Sequence, residues 1–258
     1  MTRFFVEAHR VKQPTLERTE YASWVPQDNR CLILYQNFFV DNNKNIDEER
    51  IKQAAEVASA EDTLTMLDVE CFPTVINDWG NWPSDMDGLA KYLEVIRTFR
   101  KYAPDVRCGF YGVIPGYAYA GIMQGPKGER YKKWVDRFPN LQEIYKEVDV
   151  LFCDAYAFPY VPYRDEEWLA SIAYQAMEVR NHFPEKKAYC VLSPYRFSTG
   201  LPSIMDAPLL DADLFDASVA TANALYSGGV VLWGGVWNAL TEDAQAQQPW
   251  YQIVQRYL

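Results

Sequence analysis

The stretch Leu64-Thr65-Met66-Leu67-Asp68-Val69-Glu70 decides how this chain can fold. Residues 64–67 suit a buried strand, and acidic side chains enter only where the apolar run ends. Because residues i and i+2 of a strand project to the same side, Asp68 and Glu70 are expected to share one face. The stretch therefore predicts a buried strand that carries two carboxylates at its carboxyl end.

Apolar runs of strand length recur along the chain, each bounded by polar or turn residues. There are six: Cys31 to Phe39, Leu64 to Val69, Val106 to Val113, Val150 to Tyr156, Ala188 to Leu192 and Gly229 to Trp233. Helical periodicity separates them, and Asn45 is the predicted N-cap of the first helix. Further helices are predicted around 89–99, 141–148, 168–179 and 214–225, with irregular insertions at 79–87 and 115–133.

Alternating buried strands and helices predict an α/β protein with a parallel sheet covered on both faces. Such a sheet is either a closed barrel or an open doubly wound sheet. Neither GxGxxG nor GxxxxGK with a following Ser or Thr comes after the first run, which favours the barrel. A length of 258 residues is typical of one such barrel. We therefore predict a (β/α) TIM-like barrel, with residues 1–258 forming a single domain.

Composition excludes several classes of partner. The formal charge of −10 repels phosphate backbones, so nucleic acid is not expected to bind. The same charge disfavours a densely anionic polysaccharide and favours a neutral or cationic glycan. The chain contains 8 Trp, 18 Tyr and 13 Phe, which predicts either a site that stacks flat ligands or a tyrosine-rich surface.

The cysteines and histidines do not form a metal-binding pattern. The chain has five cysteines without CxxC spacing, and Cys31, Cys108, Cys153 and Cys190 fall in apolar runs as small buried hydrophobes. The two histidines, His9 and His182, are far apart in sequence, so neither a metal nor another cofactor is expected.

The amino-terminal segment Met1 to Arg10 is not expected to be a secretory signal, because Glu7 and His9 interrupt it. No apolar run approaches the length of a membrane span, so a soluble protein without membrane contact is expected. Oligomeric state and compartment are left open.

In (β/α) barrels the active site lies where the strands end, so polar residues at the ends of runs are the candidates. Repulsion within the Asp68 and Glu70 pair is expected to raise at least one pKa and to supply a general acid. The alternative is an ion pair with a neighbouring Lys or Arg. Asp154 is a candidate nucleophile or support beside Tyr156, or simply a loop cap. Trp233 is a candidate platform for a sugar ring, or an ordinary core residue.

Several of these motifs resemble, in order and rough spacing, the strand motifs of the hyaluronidase family of glycoside hydrolases. They are Cys31-Leu32-Ile33-Leu34-Tyr35, Leu67-Asp68-Val69-Glu70, Gly109-Phe110-Tyr111-Gly112, Ala155-Tyr156 and Gly229-Val230-Val231-Leu232-Trp233-Gly234, with the tryptophan-rich Asp78 to Trp82 after the acid. The resemblance implies a distorted (β/α) barrel that hydrolyses a glycan with retention, in which the N-acetyl group of the substrate attacks the anomeric carbon.

The resemblance also implies roles for individual residues. Glu70 matches the family's acid/base, and Asp68 matches the partner that shares its proton. Tyr156 and Tyr195 match the tyrosines that position the N-acetyl group, and Trp233 matches the tryptophan that closes the pocket. Further substrate contacts are expected from Tyr35, Tyr111 and Asp154.

Two other interpretations stay open. A glycosidase with two carboxylates would use Glu70 as acid and Asp154 as nucleophile or base. A carbohydrate-binding barrel without turnover would keep Trp233 and the tyrosines but would not need a shared proton. A redox or nucleotide enzyme fits least, because the phosphate loop is missing.

Overall fold

The main sheet of the protein is a barrel of parallel strands. The computed structural model describes residues 4–7, 10–11, 19–20, 22–72, 86–116, 119–157, 164–196, 208–234 and 242–258. The seven strands of the sheet are β1 (Phe4–Glu7), β2 (Arg30–Tyr35), β3 (Leu64–Asp68), β4 (Cys108–Phe110), β5 (Val150–Asp154), β6 (Lys187–Leu192) and β7 (Gly229–Leu232). Their spatial order is β4-β3-β2-β1-β7-β6-β5, and every pair is parallel. The predicted (β/α) TIM-like barrel is confirmed.

Strands β4 and β5 stand at the two ends of this order, and their meeting nearly closes the barrel. The amide of Gly112 donates to the carbonyl of Phe152 at 3.0 Å, and the amide of Asp149 donates to the carbonyl of Cys108 at 2.9 Å. Gly109 makes the approach possible, because a Cβ at this position would lie 2.1 Å from the carbonyl oxygen of Val150. A glycine is therefore required at the seam.

Helices follow most of the strands and cover the outside of the sheet. They are α1 (Glu48–Glu61), α2 (Met86–Tyr102), α3 (Tyr119–Met123), α4 (Glu129–Val135), α5 (Gln142–Glu147), α6 (Asp165–His182), α7 (Ala212–Leu225), α8 (Glu242–Ala246) and α9 (Pro249–Gln255). A short antiparallel pair, Arg10–Val11 with Thr19–Glu20, follows β1 in the chain.

Each of the six predicted runs contains a strand, but the sequence prediction lacks β1. The apolar part of β1, residues 4–6, is too short to stand out from its surroundings in the sequence. This strand nevertheless lies in the middle of the sheet, between β2 and β7. Its central position fixes the register of both neighbours.

Several predicted boundaries also needed correction. The first run extends past its strand, since β2 ends at Tyr35 and residues Gln36–Phe38 form a 3-10 turn. The third run likewise contains only the short strand β4. The N-cap of α1 is Asp47, whose side chain accepts a hydrogen bond from the amide of Arg50 at 3.2 Å. Asn45 is held instead in a turn, where its amide donates to Asp41.

The predicted irregular insertion at 115–133 contains α3 and the start of α4. These helices are short, so their periodicity spans too few turns to be recognised in the sequence. In the other predicted insertion, 79–87, only the first residues of α2 are described.

The side chains of the strands alternate between two hydrophobic cores. Leu67 and Val69 pack in the outer core between sheet and helices, whereas Leu64 and Met66 face the barrel interior. This alternation is the ordinary pleat of a strand. The inner core consists of Phe5, Cys31, Ile33, Leu64, Met66, Tyr111, Val150, Phe152, Tyr156, Tyr189, Val191 and Val231.

We expect Gly109→Ala to destabilise the protein by about 1 to 3 kcal/mol, because the added methyl group forces β4 and β5 apart. Urea unfolding of both proteins measures the difference. Gly121→Ala is the matched control, since a Cβ there meets its nearest neighbour, the carbonyl oxygen of Arg130, at 3.3 Å. Equal stability losses in the two variants would contradict the role of Gly109 at the seam.

Candidate active site

Polar and aromatic side chains replace the inner hydrophobic core at the carboxyl ends of the strands. Met66 faces the interior and Val69 faces the helices, so Asp68 and Glu70 continue the inner face of β3. The same alternation gives inner positions at strand ends to Glu7, Tyr35, Asp68, Tyr111, Asp154 and Trp233. The mouth of the barrel therefore combines carboxylates with aromatic rings.

Asp68 and Glu70 differ in their exposure to solvent. Asp68 is buried as the last residue of β3, and Glu70 is exposed just beyond it. The hydroxyl of Tyr92 on α2 donates to the carbonyl of Val69, which holds the chain between the two acids. The pair therefore consists of one carboxylate in the barrel and one that an approaching ligand can reach.

The electrostatic surroundings favour a protonated Asp68. Burial, followed by the negative charges of Glu70 and Glu7, raises the pKa of Asp68 well above its usual value. Its Oδ1 atom is buried and has no hydrogen-bond partner within the described part of the chain. A proton on Asp68 relieves both the desolvation and the repulsion.

Asp154 lies deeper than either of these acids and is held by its own loop. It is 4% exposed, and its Oδ1 accepts a hydrogen bond from the amide of Tyr156 at 3.2 Å. Gln175 on α6 donates to the carbonyl of Asp154 at 3.1 Å, and Trp168 donates to the carbonyl of Ala155 at 3.1 Å. Helix α6, which packs on the outside of the sheet, therefore holds the backbone at the end of β5 in place.

Burial also dominates the titration of Asp154. Burial raises the pKa of Asp154 well above its usual value, and the negative charges of Glu70 and Asp68 raise it further. Hydrogen bonds from Tyr156 and Tyr111 act in the opposite direction and lower this pKa. The acids of β3 and β5 therefore act on one another across the mouth.

The aromatic rings form one wall of the mouth, which we call the aromatic wall: Tyr35, Tyr111, Tyr156 and Trp233. Tyr156 stacks on Trp233 with ring centroids 5.0 Å apart and planes 26° apart. Tyr111 also lies next to Tyr156, and the centroids of these two rings are 5.8 Å apart. Aromatic surfaces with a few polar groups beside them are typical of ligand-binding sites.

Glu7 is a site residue that the sequence analysis missed. It is buried at the end of β1, where its Oε1 accepts from the hydroxyl of Tyr35 at 2.7 Å and its Oε2 from the amide of Gly234 at 3.0 Å. The stretch Phe4-Phe5-Val6-Glu7 repeats on a smaller scale the pattern of Leu64 to Asp68, but three apolar residues are too short a run to stand out in the sequence.

Tyr195 lies beyond the end of its strand, as Tyr156 does. It is buried on the loop after β6, its amide donates to Ser193 Oγ at 3.3 Å, and its backbone pairs with Leu209. The structure brings the remaining predicted residues to the mouth. The predicted tryptophan-rich segment 78–82 and His9 lie outside the described residues.

Four of the cysteines occupy the positions expected of small hydrophobic residues. Cys31, Cys108, Cys153 and Cys190 are buried free thiols within strands. Burial raises the pKa of Cys108 to about 12. These thiols stay protonated at neutral pH and serve packing.

In the part of the chain that the structure describes, no group of three or more His, Cys, Asp or Glu side chains is arranged to hold a metal ion. Among these same residues, no helix has the length and apolar character needed to cross a membrane.

Comparison with known proteins gives a shared fold. No protein-family model and no curated protein matches the chain. The structure of bee venom hyaluronidase in a monoclinic crystal matches with a TM-score of 0.61 at 13% identity, over 88% of this chain and 84% of that chain. The complex of bee venom hyaluronidase with a hyaluronic acid tetramer matches with a TM-score of 0.57 at 13% identity, over 98% and 95%. The chain therefore has the barrel fold of this glycoside hydrolase.

We expect Asp68→Asn to stabilise the protein at neutral pH. The folded-state pKa of Asp68 lies above its unfolded value, so the wild type loses stability as pH rises from the ordinary pKa through the raised one. Asparagine carries no charge, so the advantage of the variant grows across that window, by about 1.4 kcal/mol for each unit of pKa elevation.

Urea unfolding between about pH 4 and about pH 8 measures this difference. Asp105→Asn, at an exposed position before β4, is the control. Stability curves of Asp68→Asn and wild type that stay parallel over the whole range would show that Asp68 titrates in the folded protein as it does in the unfolded chain.

Proposed function

We propose that this protein is a retaining glycoside hydrolase that acts on an N-acetylated glycan, with Glu70 as general acid and base. One observation carries the proposal: an exposed Glu70 and a buried, proton-favouring Asp68 stand together at a barrel mouth lined by the Tyr156–Trp233 stack. The name of the matching structure, a hyaluronidase, points to the same class of reaction.

The first step breaks the glycosidic bond. The carboxylic acid of Glu70 donates its proton to the glycosidic oxygen while the carbonyl oxygen of the substrate's own N-acetyl group attacks the anomeric carbon. The carbon–oxygen bond to the leaving sugar breaks, and a cyclic cationic intermediate forms. Asp68 shares the proton of the pair and, once ionised, offsets the developing positive charge.

The second step restores the enzyme. The carboxylate of Glu70 removes a proton from water, and the oxygen of that water attacks the anomeric carbon and reopens the ring of the intermediate. Two displacements at the same carbon retain its configuration. The aromatic wall would hold the sugar ring flat throughout, with Tyr156 and Trp233 as its stacked centre and Tyr35 and Tyr111 beside them.

Burial argues against Asp154 as the nucleophile. It is 4% exposed, and one of its oxygens already accepts the amide of Tyr156. We assign Asp154, with Tyr195 on the next loop, to support of the substrate-binding face. The second candidate mechanism uses Asp154 as nucleophile or base. It is favoured by the proximity that lets Glu70 and Asp68 raise the pKa of Asp154.

The charge of the protein bears on the substrate. A formal charge of −10 and carboxylates from β1, β3 and β5 at the mouth favour a neutral or cationic N-acetylated glycan over a polyanionic one. A panel of chitin oligosaccharides, partly deacetylated chitosan, hyaluronan and neutral glucans tests this preference. Binding without release of reducing ends from any member would instead favour a carbohydrate-binding barrel.

With a substrate from this panel, we expect Glu70→Gln to reduce turnover by roughly 10² to 10⁴, because glutamine keeps the shape of the side chain and cannot donate the proton. Reducing-end release under saturating substrate measures turnover. Glu56→Gln, at an exposed position on α1, is the matched control. Turnover by Glu70→Gln equal to that of the wild type refutes the assignment.

Asp154→Asn separates the two mechanisms. If the N-acetyl group is the nucleophile, we expect this variant to keep substantial activity and no covalent glycosyl-enzyme to accumulate. Intact-protein mass spectrometry during turnover detects such an adduct. A nearly inactive Asp154→Asn together with a trapped adduct in the wild type would replace the substrate-assisted mechanism by the one with two carboxylates.

A further inference from the structure

The carboxylate of Glu7 lies at the mouth of the barrel, in contact with Tyr35 of the aromatic wall. It ends β1, which stands between β2 and β7, and is 2% exposed. Tyr35 ends β2 and Trp233 directly follows β7. Glu7 is therefore flanked by the two strands that supply one half of the wall.

Both oxygens of Glu7 accept hydrogen bonds, one from each flanking strand. Oε1 accepts from the hydroxyl of Tyr35 at 2.7 Å, and Oε2 accepts from the amide of Gly234 at 3.0 Å. The oxygen of Tyr35 in turn accepts from the indole Nε1 of Trp233 at 3.2 Å. Trp233 is thus tied to Glu7 twice, through its ring and through the next backbone amide.

We infer that Glu7 is a positioning residue, which fixes the indole plane of Trp233 against Tyr156 and so preforms the sugar-binding face of the mouth. The effect on catalysis rests on the proposed function, whereas the effect on the indole does not. Trp233 stacks on Tyr156 at 5.0 Å. A tilt of the indole would therefore disturb the face on which the sugar ring is expected to lie.

A carboxylate suits this position better than an amide. It meets two donors, the hydroxyl of Tyr35 and the amide of Gly234, and an ionised carboxylate is an acceptor on both oxygens. Glutamine has one acceptor oxygen, so its NH₂ group would face either the amide of Gly234, a donor, or the hydroxyl of Tyr35, which now donates to Glu7. Glu7→Gln therefore either loses the link to Gly234 or reverses the hydrogen bond with Tyr35, whose hydroxyl hydrogen must then turn away from this position.

The direction of the two hydrogen bonds that link Trp233 to Tyr35 and Tyr35 to Glu7 is also fixed. Burial, followed by the charge of Glu7 and its hydrogen bond, raises the pKa of Tyr35 well above the usual value. The phenol stays protonated, donates to Glu7, and leaves its oxygen free to accept from Trp233. Conversion of Tyr35 to phenylalanine removes this bridge, including the hydrogen bond to Glu7, while the Glu7 side chain and its bond from Gly234 are retained.

The indole N–H resonance of Trp233 tests the inference without any substrate. Its signal in a ¹H–¹⁵N spectrum is assigned by its loss in Trp233→Phe. We expect Glu7→Gln and Tyr35→Phe each to shift this signal and to speed exchange of its hydrogen with D₂O about tenfold or more, because the indole loses its anchored partner.

Glu178→Gln is the matched control. Glu178 is also a buried glutamate that accepts from a tyrosine hydroxyl, that of Tyr131 at 2.7 Å, but it lies on α6 and away from the mouth. This variant should lower the melting temperature as much as Glu7→Gln does and leave the Trp233 signal unchanged. The comparison separates positioning from the general loss of a buried hydrogen bond.

Kinetics on the glycan panel supply the second measurement. We expect Glu7→Gln to lower kcat/KM by about 10- to 100-fold and to have little further effect in a Trp233→Phe background, because both changes disable the same element. Additive losses in the double variant would overturn the inference.

The two proposals fail in different ways. If no glycan is hydrolysed by the wild type, the proposed function fails while the indole signal still decides the role of Glu7. An unchanged Trp233 signal in folded Tyr35→Phe, or in folded Glu7→Gln, overturns the inference even where the enzyme is active. If Glu7→Gln does not fold, Tyr35→Phe alone decides between these outcomes.

Discussion

The alternation of side chains along parallel strands governs the rest of this molecule. In a nearly closed barrel, alternate residues of each strand face the barrel axis. Below the mouth, these inward-facing positions are occupied mainly by apolar and aromatic residues. The carboxylates on the inner faces of the described strands stand at the carboxyl ends, where the chain leaves the barrel. Asp68, Asp154 and Glu7 occupy those ends on three different strands. The arrangement concentrates acids in one place without requiring them to be close in sequence.

This concentration works against folding stability. Carboxylates that are buried near one another are favoured in their protonated form, and ionising them in the folded state is unfavourable. A core composed for stability alone would place apolar side chains at these positions. Conflicts of this kind between packing and charge are typical of functional sites. The helices compensate from outside, as when Tyr92 and Gln175 hold the backbone at the ends of β3 and β5.

Long apolar runs made most of the barrel predictable from the sequence. The ends of β3, β5 and β7 follow such runs, so the sequence predicts Asp68, Asp154 and Trp233 as candidate site residues, and the structure places them at the mouth. Glu7 is not among these candidates, because three apolar residues before it are too weak a signal in a chain without regular repeats. The central place of β1 arises from pairing with β2 and β7, which are distant in sequence. Such long-range pairing leaves no local pattern to recognise.

The contacts among Phe5, Phe152 and Tyr189 determine from which side a ligand can enter and leave the site. Tyr189 meets the edge of Phe5 at 5.3 Å and stacks on Phe152 at 5.6 Å, which fills the barrel below the mouth. Within the described residues, this ring cluster occupies the barrel interior below the mouth. If the proposed function holds, a glycan would therefore bind across the mouth, and the products would leave through that same opening.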